Sequence, residues 1–367
     1  MLRLQATLPA RYREADEAAL QKMIADARQR LGKDLIILGH HYQRDEVYRW
    51  ADATGDSYKL AKYAAEHLES KYIVFCGVHF MAESADILTS DSQIVILPDL
   101  NAGCSMADMA PIDAMEEAWE YFSQVLDIDS VMPITYMNSS AAVKAFVGAR
   151  GGAVCTSSNA PKVIEWGLQQ REKIFFLPDQ HLGRNTARAM GFTQRDEFVW
   201  DPNADYSEID EVALKEATFI FWKGHCSVHQ RFTTDMVHRF RAEHPEGKVI
   251  VHPEVAHEVV LLADFVGSTE QIKKTITEAQ SGSTWGVGTE IHLVQRLARE
   301  MAPLGKTVMS LDPIVCPCST MFRIDAAHLA WCLESLADGR IVNQITVDAD
   351  TAHDAKLALD RMLEIAG

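Results

Sequence analysis

No apolar run in this chain approaches the roughly 18 residues that a membrane-spanning helix requires, and none reads as such a span. The first residues carry Arg3, Arg11 and Arg13, but Glu14, Asp16 and Glu17 follow at once and no apolar signal core is present. The expectation is a cytoplasmic protein. Positive charge is in short supply: 35 Lys and Arg face 52 Asp and Glu, a formal net charge of −17. A field of that sign argues against nucleic acid and anionic membranes as partners. It leaves small anionic substrates open, because a pocket can be locally positive inside an acidic protein. Nothing in the composition reads as disordered. With 47% hydrophobic residues in a 367-residue chain, there is ample material for a buried core and more than one ordinary domain.

Cysteine is sparse, and its pattern excludes a disulfide scaffold. The seven are Cys76, Cys104, Cys155, Cys226, Cys316, Cys318 and Cys332, an odd number in a long chain without an export signal, so metal binding or burial is expected instead. A zinc ribbon is disfavoured as well. Cys316-Pro317-Cys318 lacks the two-residue spacing of a zinc knuckle, and no second close pair accompanies it.

What is present is an alternation of short β-branched runs with amphipathic stretches, the mark of α/β architecture with parallel sheets. Eleven strand-like runs extend from Leu35–Leu38 to Val308–Leu311. One parallel sheet of that size is unusual, so several smaller sheets are expected. The loops after the runs come in three series. Gly39-His40-His41-Tyr42, Cys76-Gly77-Val78-His79 and Leu97-Pro98-Asp99 lead to Cys104. Thr135-Tyr136-Met137-Asn138, Thr156-Ser157-Ser158-Asn159 and Leu177-Pro178-Asp179 lead to Cys226. His252-Pro253-Glu254, Gly267-Ser268-Thr269 and Gly288-Thr289-Glu290 lead to Cys316-Pro317-Cys318. Polar loops end strands in any α/β protein, but the repeated Leu-Pro-Asp and the terminal cysteines favour three copies of one unit. The expected organisation is three similar α/β units over 1–110, 111–230 and 231–324, meeting around a pseudo-threefold axis. The C-terminal helical region 325–367 is expected to pack back on the first unit.

Ligands bind at the carboxyl ends of strands in α/β sheets, and nearly every unusual polar residue here sits at such an end. Three thiolates from equivalent loops suit a soft metal or an iron–sulfur cluster. A cubane with three protein ligands leaves one iron open as a Lewis acid. Taken singly, each of these cysteines also fits a small buried side chain, and zinc is the chemical competitor. Cys76 and Cys155, at strand ends, and Cys332, in a helical pattern, are assigned to packing. His229 lies close to Cys226 in sequence, and His40, His41, His79, His181 and His252 also lie at or near strand ends. Histidine serves proton transfer and anion binding near neutral pH, and Glu254 beside His252 adds a carboxylate. Gly55-Asp56-Ser57, Thr156-Ser157-Ser158 and Gly267-Ser268-Thr269 precede helical patterns. They suit anion binding at helix N-termini or ordinary capping.

As a set, these motifs closely resemble the quinolinate synthase family, over residues 35 to 325. Ala102-Gly103-Cys104-Ser105, Pro178-Asp179-Gln180-His181-Leu182-Gly183 and Gly224-His225-Cys226-Ser227-Val228-His229 carry the resemblance with the loops quoted above. It implies three α/β/α units with a [4Fe-4S] cluster at their centre, and condensation of iminoaspartate (iminosuccinate) with dihydroxyacetone phosphate. The implied products are quinolinate, phosphate and water, on the de novo route to NAD. The implied cluster ligands are Cys104, Cys226 and one of Cys316 or Cys318. Cys318 is preferred because a form of the family with this Cys-Pro-Cys element uses the second thiol. Tyr42, His229 and Glu254 fall at acid/base positions, and His40, Ser57, Tyr136, Asn138, Ser157, His252 and Thr269 at substrate-binding positions. Functional coupling to L-aspartate oxidase and a monomeric or homodimeric state are further expectations. A hydro-lyase of the aconitase kind and a zinc-stabilised binding protein are the alternatives. The first pairs two close cysteines with a distant one, and the second predicts zinc without catalysis.

Overall fold

The computed structural model describes residues 5–314 and 317–366. Among these residues, fourteen strands form three small sheets flanked by helices. The strands are β1 (Leu35–His40), β2 (Ala53–Gly55), β3 (Tyr72–Cys76), β4 (Ile94–Ile96), β5 (Val131–Tyr136), β6 (Ala153–Cys155) and β7 (Lys173–Leu177). They continue as β8 (Glu197–Trp200), β9 (Phe219–Trp222), β10 (Lys248–Val251), β11 (Phe265–Val266), β12 (Thr284–Gly288), β13 (Thr307–Ser310) and β14 (Gln344–Ile345). All eleven runs expected from sequence are strands, and β2, β8 and β14 are additions. β1 and β5 are buried at every residue, as befits parallel strands covered by helices on both faces.

The three sheets share one topology. The orders are β14-β4-β3-β1-β2, β6-β5-β7-β9-β8 and β11-β10-β12-β13. Setting aside the edge additions β14 and β8, each sheet runs second–first–third–fourth in its own chain order, and all pairings among these strands are parallel. β14 joins β4 antiparallel, and β8 joins β9 parallel. This assigns the loops. His40, Tyr136 and His252 stand at the ends of first strands. Cys104, Cys226 and Cys318 come after fourth strands. The Leu-Pro-Asp echo is a coincidence: Leu97-Pro98-Asp99 follows a fourth strand, and Leu177-Pro178-Asp179 a third.

The described residues gather into two compact units. One holds 5–104, 290–296 and 317–348, with the first sheet; the other holds 105–289, 297–314 and 349–366, with the second and third sheets. In the first unit, the helix Ala326–Ala337 packs on the helix Glu17–Leu31. The helix Ala349–Ala366 differs from expectation, lying on the helix Ala141–Ala149 beside the second sheet. Gly148 makes that approach close: a Cβ there would lie 1.9 Å from the Asp354 carbonyl oxygen. Among the described residues, no helix is long and apolar enough to cross a membrane.

Candidate active site

In the larger unit, the loop after β10 and the short helix His229–Arg231 build a buried polar group. His229 Nδ1 lies 2.6 Å from Glu254 Oε2, and His229 Nε2 lies 3.1 Å from Thr289 Oγ1. The ring of His252 stacks on that of His229, with centroids 4.4 Å apart and planes 12° from parallel. The Glu254 peptide N–H points back at His252 Nδ1 over 3.4 Å. All three side chains are excluded from solvent. Burial alone would raise the Glu254 pKa. The nearby His252 and His229, with hydrogen bonds from His229 and Tyr136, outweigh it and hold the carboxylate ionised. Burial pushes His252 down to about 3, so its ring is neutral. Because Glu254 accepts from Nδ1–H, the Nε2 of a neutral His229 is left as an acceptor for the Thr289 hydroxyl.

Cys226 completes this neighbourhood: its sulfur, one His229 nitrogen and one Glu254 oxygen lie within 4.8 Å of one another. Its loop is held at close quarters. Gly224 bridges to Asp179 alongside β7, and the Gln180 N–H donates to the Gly224 carbonyl over 3.1 Å. A Cβ at Gly224 would lie 2.2 Å from the Pro178 carbonyl oxygen, so only glycine fits. Asp179 is fully buried. Its Oδ1 caps the next helix by accepting from the His181 and Leu182 N–H groups at 2.7 and 2.8 Å. Burial, then the charge of Glu254, raises its pKa well above the usual carboxylate range, against the N–H groups of Leu182, His181 and Cys226.

Also in this unit, the loops after the second strands β6 and β11 approach one another: Ser158 Oγ donates to Ser268 Oγ over 2.9 Å. Ser157 and Thr269 adjoin that contact. Ser268 caps its helix in a reciprocal box with Gln271. Tyr136 is buried at the end of β5, and Asn138 is half-buried two residues on.

The smaller unit carries the loop after β1. His40 is buried, its Nδ1 accepts from the Tyr42 N–H over 3.1 Å, and the two rings meet edge to face at 4.8 Å. Tyr42 is half-buried, and Ser57 opens the helix Ser57–Glu66 behind the capping Asp56. Cys104 follows a turn built on buried Asp99, whose carboxylate accepts from the Asn101 N–H at 2.9 Å and Arg323 Nε at 2.8 Å. The Cys318 N–H donates to buried Glu290 over 3.2 Å, and Glu290 is itself held by His292 at 2.8 Å. Cys316 lies outside the described residues. Cys104, Cys226 and Cys318 are each partly exposed, whereas Cys76, Cys155 and Cys332 are sealed in the core. Burial drives the pKa of those sealed thiols far upward, which keeps them protonated and inert.

Sequence reasoning passed over Thr289 and Asp179 as individual residues, although both stand in the loops it quoted. It missed Asn185, a buried amide on the helix Gln180–Ala189. A polar residue on the apolar face of a helical pattern was the signal available.

Comparison with known proteins agrees with this picture. The family described as quinolinate synthetase A protein matches residues 22–364. The quinolinate synthase of Acidobacterium capsulatum is 57% identical over 357 residues, covering 97% of this chain and 95% of that one. The quinolinate synthase of Streptomyces coelicolor is 54% identical, covering 92% and 86%. That of Anoxybacillus flavithermus is 53% identical, covering 97% and 96%.

Proposed function

The chain belongs to the quinolinate synthetase A family, and from that premise we propose that it condenses iminoaspartate with dihydroxyacetone phosphate to give quinolinate, phosphate and water for NAD biosynthesis. The observation that carries the reading is the buried His229–Glu254–His252 group, because a protected carboxylate–imidazole pair is what the proton transfers of such a condensation need. His229 takes a proton at Nε2, and the ionised Glu254 stabilises the resulting imidazolium through Nδ1–H. Tyr42 serves as a second proton-transfer group. His40, Ser57, Tyr136, Asn138, Ser157, His252 and Thr269 bind the substrates' carboxylate and phosphate groups. The N–H groups at the starts of the helices Ser57–Glu66 and Thr269–Glu278 support this role.

Cys104, Cys226 and Cys318 are the proposed ligands of a [4Fe-4S] cluster. The donor set fits: three partly exposed thiols, each in the loop after a fourth strand, with the other described cysteines sealed away. When bound, the cluster supplies an open iron as a Lewis acid for dehydration. Iminoaspartate is the product of aspartate oxidation, so functional coupling to L-aspartate oxidase belongs to the same proposal. The test is the iron and sulfide content of anaerobically purified protein, measured beside quinolinate formation. About four of each per chain, with activity lost in air, is the expected result. Stoichiometric zinc with full activity after aerobic purification overturns it.

A further inference from the structure

Two buried side chains, neither in the loops discussed so far, grip the backbone on both sides of a proposed acid/base residue. In the larger unit, Asn185 Nδ2 donates to the carbonyls of Pro253 and Val255, each over 2.8 Å. These are the two residues that flank Glu254. The amide is turned this way because only its NH₂ end can serve two carbonyls. Its Oδ1 accepts from His257 Nδ1 at 2.8 Å, so three of the side chain's four hydrogen-bonding directions are occupied. In the smaller unit, Arg296 Nη1 donates to the His41 carbonyl over 2.8 Å and Nη2 to the Gln43 carbonyl over 2.7 Å. Those residues flank Tyr42. Its Nε donates to Asp45 over 3.0 Å, and the guanidinium lies 3.5 Å from the centroid of the Tyr48 ring. Asn185 and Arg296 are 5% and 6% exposed.

The two positions correspond. Asn185 lies eight residues beyond Leu177, the end of β7, and Arg296 eight residues beyond Gly288, the end of β12. Each sits on the helix that follows a third strand, and each holds a loop that follows a first strand. The first carbonyl belongs to the peptide plane that enters the residue between them and the second to the plane that leaves the residue after it, so the loop is pinned on both sides of that residue. This restrains the direction of that residue's Cα–Cβ bond without engaging its side chain.

We infer that Asn185 and Arg296 are positioning residues for Glu254 and Tyr42 respectively. They aim those side chains through the backbone and touch no substrate. The inference rests on the acid/base reading of Glu254 and Tyr42. A misplacement of about 1 Å can cost roughly 100-fold in rate, whereas loss of one peptide clamp leaves the sheets and the cysteine loops in place.

A pair of double-mutant cycles tests this on the iron-loaded enzyme, reading kcat and KM for quinolinate formation with iron content and melting temperature. Asn185→Ala is expected to lower kcat by roughly 10- to 100-fold with little change in KM, at full iron content. In a Glu254→Gln background the same change is expected to cost less than about 2-fold, because residues acting through one group are non-additive. Arg296→Lys, which keeps the charge but loses the planar fork, is expected to behave likewise with Tyr42→Phe. Additive losses, wild-type kcat in the single variants, or losses that follow iron content or melting temperature overturn the inference. If Glu254→Gln and Tyr42→Phe themselves keep wild-type turnover, the acid/base reading fails instead, and the two failures are distinct.

Discussion

His229 and Glu254 share a single 2.6 Å hydrogen bond inside a shell that water does not reach. Two residues before Glu254, His252 lays its ring on that of His229. One carboxylate therefore serves two imidazoles, and the neutral His252 leaves His229 as its direct hydrogen-bonded partner.

That arrangement makes the first prediction. Glu254→Gln keeps the shape of the side chain and removes its charge, and Tyr42→Phe removes one hydroxyl. Both are expected to retain a full complement of iron and a near-normal melting temperature. Each should lose on the order of 10²–10⁴ in quinolinate formation. Wild-type turnover in both, or loss of iron in both, shows that the residues are structural.

The cysteines give the second. Cys104→Ala and Cys226→Ala should abolish iron binding, and Cys318→Ser should do the same while Cys316→Ser keeps most of it. Cys76→Ala, Cys155→Ala and Cys332→Ala should retain iron, each at a stability cost of about 1 kcal/mol for the small void left in the core. Iron analysis with a urea midpoint for each variant separates the two groups. If Cys316→Ser loses the metal and Cys318→Ser does not, the third ligand moves and the rest stands.

The third concerns pH. Burial lowers His252 to about 3, and in the unfolded chain an ordinary histidine titrates near 6.5. A depressed folded pKa means stability that is present above the unfolded value and lost as pH falls toward the folded one. Between pH 7 and pH 5 the unfolded state takes up a proton that the folded state refuses, worth about 2 kcal/mol. Glu254, also depressed, contributes little in that window because both states remain largely ionised. Urea unfolding at the two pH values should show a smaller loss for His252→Gln than for the unmodified protein. Equal losses would place the imidazole in solvent.

Gly224 supplies the fourth. Any Cβ there strikes the Pro178 carbonyl oxygen, a backbone atom that no rotamer change can move aside. Gly224→Ala should pry the Cys226 loop from the end of β7, lowering both iron content and melting temperature. Full iron at an unchanged melting temperature would mean that the loop has room the structure does not show.

Much of this was legible in the sequence, for an identifiable reason. Parallel strands covered on both faces are continuous apolar runs, so β1, β5, β7 and β9 announce themselves. The runs that escaped notice are edge strands. Ala53–Gly55, Glu197–Trp200 and Gln344–Ile345 are short, and their residues are mostly only half-buried or exposed. The loop motifs located the polar residues, but spacing misjudged their equivalence, pairing Asp99 with Asp179 across different strand positions. The last helix was assigned to the wrong sheet because an amphipathic stripe states that a partner exists without saying which. Asn185 was out of reach for a related reason. Its partners at 253 and 255 are distant in sequence, and one buried amide carries no pattern of its own.

The seating of that last helix also sets a schedule for the growing chain. Arg361 Nη1 donates to the Gly148 carbonyl across 213 residues of sequence, and Ala358, Leu359 and Met362 are buried on the same helix. At roughly 5–20 residues per second, some ten to forty seconds separate the synthesis of the two partners. From the synthesis of Trp222 to the end of that interval, the second sheet has its strands but lacks one helix of its covering layer. Its maturation therefore waits on residues 349–366, and a ribosome that stalls before residue 349 leaves an apolar helix face open to whatever meets it first.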